Sequence, residues 1–418
     1  MHPRDLASLA GEETIFGGFA AEKLERLQAE LEPLSGRYDV VVANPPYMGS
    51  KNMNKWLGDW VKTHHKDVKG DLFSCFMVRN VGMGAEHAQL GFMTPYVWMF
   101  IGTYEKLRKF VIQQNTITSL IQLEYSGFSG ATVPICTFTL QKGYCPGYRG
   151  GYVRLSDFVG ADQQAPRALE ALANPDCGWF YRADASEFEA IPGSPIAYWA
   201  SKTALDAFSN SDSFSDFVTP KSGFSTGDND KFIHFWWELN WQSFCIDCAS
   251  LSEANLKTEY WFPLNKGGGF RKWYGNNLFA VNWRNNAFEM KKCSGYRSGC
   301  ERYYFHKGLT WGTISSSLLS VRYSPIGYMP NRKGAMAFPD IEDNLYYGLG
   351  LLNSSTAMYY LRFLAPTLDF SEGPVGALPF IEADKNTASA IVREAIEISQ
   401  CDYDSFEDSW DFERHPLI

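Results

Sequence analysis

The run Tyr38-Asp39-Val40-Val41-Val42-Ala43 leads directly into Asn44-Pro45-Pro46-Tyr47. Three valines in a row favour a strand. A short, nearly unbroken apolar run has the pattern of a parallel strand buried on both faces. Two successive prolines end it, since neither has an N–H to give to a neighbouring strand. A parallel strand commits this part of the chain to an α/β sheet, where ligands bind beyond the carboxyl ends of the strands. The four residues at that end form a rigid polar pocket: an amide side chain, a proline carbonyl on a locked φ, and an aromatic face. A Pro-Pro turn with a capping Asn is the plainer alternative for the same residues.

These residue types suit one chemistry. The exocyclic amino nitrogen of adenine is a poor nucleophile because its lone pair is delocalised into the ring. The Asn44 side-chain oxygen and the Pro45 carbonyl can accept both amino hydrogens, drawing the lone pair out of conjugation and aiming it at an electrophile. Tyr47 offers a face on which a base can stack. A base inside a duplex reaches such a pocket only when flipped out, at a cost of roughly a few kcal/mol.

The 418 residues leave room for two or three domains, and 45% apolar content is ample for their cores. The amino terminus lacks a basic-then-apolar signal pattern, and no run of about 18 apolar residues occurs, so a cytoplasmic protein without a membrane partner is expected. Nine scattered cysteines fit reduced thiols. The net charge of −9 argues against a general nucleic-acid binder, but its distribution matters more. Residues 221–333 carry 15 Lys/Arg against 8 Asp/Glu, whereas residues 334–418 carry 4 against 15. A basic island between acidic flanks marks a phosphate-facing surface or a solvated basic face.

Apolar spacing predicts a helix over 18–33, a strand over 38–43, a helical stretch near 69–78, a strand over 89–95, a helix over 104–113 and strands over 117–123 and 132–140. This β-α-β-α-β-β order suits half of a doubly wound sheet ending in a hairpin. The expected organisation is a catalytic half-domain over 1–150, a linker or partly helical connection over 151–215, a mainly β (α+β) domain over 216–385 and an acidic helical tail over 386–418.

The motifs resemble those of amino-group DNA methyltransferases in which the catalytic domain precedes the target-recognition domain. Asn44-Pro45-Pro46-Tyr47 matches their catalytic motif, and Asp71-Leu72-Phe73 through Phe76 is similar to the next one. Gly91-Phe92-Met93-Thr94-Pro95, Leu107-Arg108-Lys109-Phe110 and Phe128-Ser129-Gly130-Ala131-Thr132-Val133-Pro134 resemble those that follow. Later segments, Ser222 to Phe232, Lys266 to Asn276 and Leu352 to Ser355, resemble the PglX-like adenine-specific methyltransferases of BREX phage-defence systems.

The resemblance implies a partial Rossmann-like sheet followed by a target-recognition domain. It implies S-adenosylmethionine as methyl donor and double-stranded DNA as partner, with other BREX proteins as further partners. Asn44, Pro45, Pro46 and Tyr47 would be catalytic, Tyr47 and Phe128 would stack on the flipped base, and Asp71 and Phe73 would line the donor pocket. One departure is evident. The Gly-rich turn that binds the donor in this family lies upstream of the catalytic motif, and the residues ahead of Asn44 contain Gly17-Gly18 but no strand followed by Gly-x-Gly. The chain is therefore expected to be part of a longer or split enzyme, inactive alone. A non-catalytic DNA-recognition fragment and the methyltransferase part of a combined restriction-modification enzyme are the alternatives. The same tetrapeptide also serves some N4-cytosine enzymes.

The basic island interleaves Lys266, Arg271, Lys272, Arg284, Lys291 and Lys292 with aromatic residues. These cations are candidate DNA contacts, and most of the tryptophans around them are expected in the core. Cys245-x-x-Cys248, Cys293 and Cys300 lack a partner in register for zinc, so no metal is expected.

Overall fold

A computed structural model of the chain describes residues 17–125, 127, 133–315, 318–366, 369–381 and 383–418. The chain divides into two compact units, residues 1–200 and 201–418. Among the described residues no helix is long and apolar enough to cross a membrane.

The first unit is built from α1 (Gly17–Ser35), β1 (Tyr38–Ala43), α2 (Lys55–His64), α3 (Leu72–Met83), β2 (Gly84–Pro95), α4 (Glu105–Gln114), β3 (Asn115–Gln122), β4 (Ile135–Lys142), β5 (Arg149–Arg154), α5 (Ala161–Ala173) and β6 (Phe180–Asp184). Its strands form one mixed sheet in the order β1-β2-β4-β3-β5-β6. β1 runs parallel to β2, with Val42 opposite Gly91. β4 lies antiparallel to both β2 and β3. The core is filled from both layers, by Leu90, Phe92, Phe138 and Leu140 of the sheet and by Phe73, Met77, Leu107 and Val111 of α3 and α4.

Two expectations change here. β1 is parallel, but it is not buried on both faces: Val40 is 63% and Val42 77% exposed. The strand stands at the sheet edge, and only Val41 and Ala43 pack against the core. The sheet also continues past residue 150, because β5 pairs in parallel with β3 and then with β6. Glycine permits this at residue 150, where a Cβ would come within 2.5 Å of the Ile117 carbonyl oxygen.

Arg108 of α4 is almost fully buried, and its guanidinium donates to the carbonyls of Trp98, Ile101 and Gly193. Burial lowers its pKa to about 10, still high enough to keep the charge at neutral pH. One buried cation thereby gathers three carbonyls.

The second unit opens with α6 (Lys202–Asn210) and continues through ten short strands, β7 (Val218–Lys221), β8 (Ser225–Thr226), β9 (Ile233–Phe235), β10 (Trp261–Asn265), β11 (Phe279–Asn282), β12 (Tyr296–Arg297), β13 (Gly308–Gly312), β14 (Val321–Ser324), β15 (Met329–Pro330) and β16 (Gly334–Pro339). These form two four-stranded sheets, β15-β10-β11-β9 and β14-β13-β16-β7, and the pair β12-β8. Three long helices close the unit, α7 (Glu342–Asn353), α8 (Ser355–Leu364) and α9 (Lys385–Tyr403). Of the seven tryptophans of the basic stretch, Trp261, Trp283 and Trp311 are buried, whereas Trp237 and Trp241 are exposed; Phe262, Tyr304 and Phe305 pack in one cluster with Trp283.

Candidate active site

β1 delivers Asn44 at its carboxyl end, and the two prolines that follow hold the chain in an extended turn across the top of the sheet. Pro45 is buried, while Asn44, Pro46 and Tyr47 face solvent. The Tyr47 hydroxyl lies 3.1 Å from Asn44 Oδ1 and 3.3 Å from the Met93 carbonyl oxygen of β2, and can donate to either. Burial, with Cys136 nearby, pushes the Tyr47 hydroxyl above its ordinary pKa, so it remains a proton donor at neutral pH. That donor fixes the orientation of the Asn44 amide, leaving its oxygen as an acceptor on an open surface.

The loop is tied down behind Tyr47. Asp71, the cap of α3, accepts from the Met48 amide at 2.9 Å and from the Phe73 amide at 3.3 Å through the same carboxylate oxygen. Leu72 N donates to the Met48 carbonyl, and Ser50 N to the Gly70 carbonyl. Phe73 is 1% exposed, and its ring meets Tyr47 edge-on with centroids 6.3 Å apart. Tyr47 is thus propped from behind and is 38% exposed. An edge-to-face contact of this kind stabilises by about 0.5–1.5 kcal/mol beyond area burial.

The sequence-predicted residues fall into three groups. Asn44, Pro45, Pro46 and Tyr47 come together as one surface. Asp71 and Phe73 stand directly behind it, holding the loop, with Phe73 in the core and one Asp71 oxygen accepting from two amides. Phe128 lies outside the described residues. The Met93 carbonyl joins the site without having been singled out; the strand ending at Thr94-Pro95 beside β1 was the available signal.

A cavity of about 580 Å³ continues from this loop, beginning at Ser50 and Gly70. Lys55, Lys62, Lys66, Lys69 and Lys106 line it, with Asp59 and Asp67. Asp67 pairs with Lys106 and Asp59 with Lys62, so the lining keeps a surplus of positive charge.

In the second unit, each of the six proposed DNA-contacting cations touches a group of its own unit, while Arg284, Lys291 and Lys292 remain exposed. Lys266 sits 4.4 Å over the Phe279 ring, and Arg284 3.7 Å over Tyr260. Arg271 pairs with Asp402 and lies over Tyr403. Lys272 donates to the Asn353 carbonyl, Lys291 to Asn286, and Lys292 pairs with Glu289. Among the described residues no group of three or more His, Cys, Asp or Glu is placed to hold a metal ion.

The chain is 34% identical over 396 residues to the adenine-specific methyltransferase PglX of Lacticaseibacillus casei (strain Zhang), an alignment spanning 92% of this chain and 33% of that protein. It is 33% identical over 391 residues to the adenine-specific methyltransferase BrxX of Escherichia coli O9:H4 (strain HS), covering 92% and 31%. This chain is similar to PglX and BrxX along nearly its whole length. It spans about a third of the length of either relative. Residues 14–128 match the family model of the Eco57I restriction-modification methylases, the segment that contains the Asn44–Tyr47 loop.

Two solved structures share the fold. The type ISP restriction-modification enzyme LlaGI, a nuclease-deletion mutant with a DNA substrate mimic, gives a TM-score of 0.55 at 14% identity, covering 94% of this chain and 37% of that one. The type IIL enzyme MmeI in complex with DNA gives 0.53 at 10% identity, covering 89% and 50%. The mixed sheet carrying Asn44 is accordingly a methyltransferase-like sheet.

Proposed function

We propose that this chain is the target-base and DNA-recognition portion of a cytoplasmic, adenine-specific DNA methyltransferase that uses S-adenosylmethionine and marks host DNA in BREX phage defence. The observation that carries the reading is the Asn44–Tyr47 surface: an exposed amide oxygen oriented by a tyrosine hydroxyl, at the end of a parallel strand, in a segment similar to adenine-specific methyltransferases. In this reading a flipped adenine stacks on Tyr47, with Phe128 supporting it. Its amino hydrogens go to Asn44 Oδ1 and the Pro45 carbonyl. The amino nitrogen would gain its bond to the methyl carbon as that carbon's bond to the donor sulfonium broke, the donor leaving as a neutral thioether, and the nitrogen would lose one proton through those acceptors to water, so no separate general base is required.

The donor side is proposed to need more than residues 1–418 provide. No Gly-x-Gly precedes Asn44, and Phe73 is packed in the core. The exposed outer face of β1, with Val40 and Val42, suits a partner segment.

The test is made in cells that supply the chain's native reading-frame neighbours. Sequencing of modified bases is expected to find N6-methyladenine at one recurrent motif, and Asn44→Ala is expected to abolish it. Unchanged methylation in Asn44→Ala would refute the mechanism, and N4-methylcytosine in place of N6-methyladenine would refute the base assignment.

A further inference from the structure

A second cleft, of about 290 Å³, lies within the second unit and includes Arg297, Arg332, Lys333, Asp369 and Glu372 in its lining. We propose that this cleft, rather than the Lys266–Lys292 cations, reads base edges of the DNA site. The proposal rests on the reading of the chain as a DNA methyltransferase.

Three observations carry it. The first is that the charges are uncommitted. Among the described residues none of the five forms an ion pair within 4 Å, although three cations and two carboxylates share one cleft. Of the six cations of the earlier segment, Arg271 and Lys292 are held in ion pairs, whereas Arg332 and Lys333 of the cleft have no ion pair, side-chain hydrogen bond or ring contact among the described residues. The second is that donors and acceptors stand apart in the same space. A phosphate would call for cations alone. A base pair in the major groove presents acceptors on guanine and amino donors on cytosine and adenine, which arginine and carboxylate side chains respectively match.

The third observation is rigidity. Gly223 and Gly299 pack backbone against backbone: a Cβ on Gly223 would lie 2.0 Å from the Pro330 oxygen, and one on Gly299 2.4 Å from the Gly223 carbonyl carbon. Arg332 N donates to the Phe224 carbonyl at 2.9 Å, Thr313 N to the Lys333 carbonyl at 3.1 Å, and Phe370 N to the Thr313 carbonyl at 2.8 Å. The Arg297 guanidinium is steadied by the Ser294 and Tyr296 carbonyls. Side chains that emerge from a locked backbone can discriminate between bases, whereas mobile ones average over them.

The experiment is selection of bound sequences from a randomised duplex library by the full chain, followed by competition binding. Wild type is expected to enrich one motif. Arg332→Ala and Asp369→Ala are each expected to make one or two adjacent positions degenerate, with preference there falling about tenfold or more and the remaining positions unchanged. Both side chains are exposed, and equal melting temperatures would verify folding. An unchanged motif at unchanged affinity in both variants would overturn the proposal. So would a uniform loss of affinity with the motif intact, which marks a phosphate contact. If wild type enriches no sequence, the broader reading of this chain as a DNA-recognising methyltransferase portion fails, an outcome distinct from failure of the cleft alone.

Discussion

In the proposed site Tyr47 would serve twice, with its ring against the base and with its hydroxyl on Asn44, and the two roles can be separated. Tyr47→Phe keeps the stacking face and removes the donor that orients Asn44. One neutral hydrogen bond contributes about 0.5–1.5 kcal/mol, so methyl transfer in the native context is expected to fall up to about tenfold while DNA affinity holds. Parallel measurement of single-turnover methylation and duplex binding checks this; loss of binding with the rate intact would reverse the assignment. Asn44 to Tyr47 could be singled out as a candidate surface in the sequence because prolines fix geometry locally. The Met93 carbonyl was not, since a backbone acceptor leaves no trace in residue identity. For the six cations of 266–292 the sequence shows charge but not surroundings, for a related reason. Composition places them on a basic stretch, but only packing reveals that rings and carbonyls of their own unit engage them.

Up to β4, element boundaries followed apolar spacing closely, because helices and strands alternate there and each buries one stripe; the strands β5 and β6 beyond it were not anticipated. β1 was the exception: its valine run reads as doubly buried, yet burial depends on neighbours that local sequence does not encode. The second unit was legible only as mainly β, because its strands are two to six residues long and pair across distant segments. Its helices carry strong local signals. Asp384 caps α9 by accepting from the Thr387 hydroxyl and from the amides of Thr387 and Asn386. The Thr387 hydroxyl contributes most to holding this carboxyl below its ordinary value of 3.8. A depressed folded-state pKa means stability that is present above the ordinary value and is lost as pH falls through the lower one. Thermal unfolding followed from pH 5 to pH 3 is expected to show this acid loss in wild type and less of it in Asp384→Asn, whose amide caps without titrating in this range. For α8, Ser354 accepts from Ala357 N, and Ser354→Ala is expected to cost about 1 kcal/mol in denaturant unfolding.

Taken whole, the molecule is acidic, with its positive charge gathered in a few places. The cavity beyond the Asn44–Tyr47 loop is one of them, and its Lys55, Lys66 and Lys69 form no ion pair among the described residues. If DNA backbone passes there, replacing all three by alanine should reduce the salt dependence of duplex binding, lowering the log–log slope by about 2–3; an unchanged slope would show that the backbone runs elsewhere. The locked glycines of the second cleft carry a consequence for descent. Gly223 and Gly299 cannot accept a side chain without moving backbone, whereas Arg297, Arg332, Lys333 and Asp369 project from a frame that does not depend on them. Lineages pressed by phage to change their mark could exchange those four residues one at a time and keep a folded protein at every step. Homologues gathered from many genomes should therefore hold the glycines fixed while the charged positions vary together with the motif each one methylates.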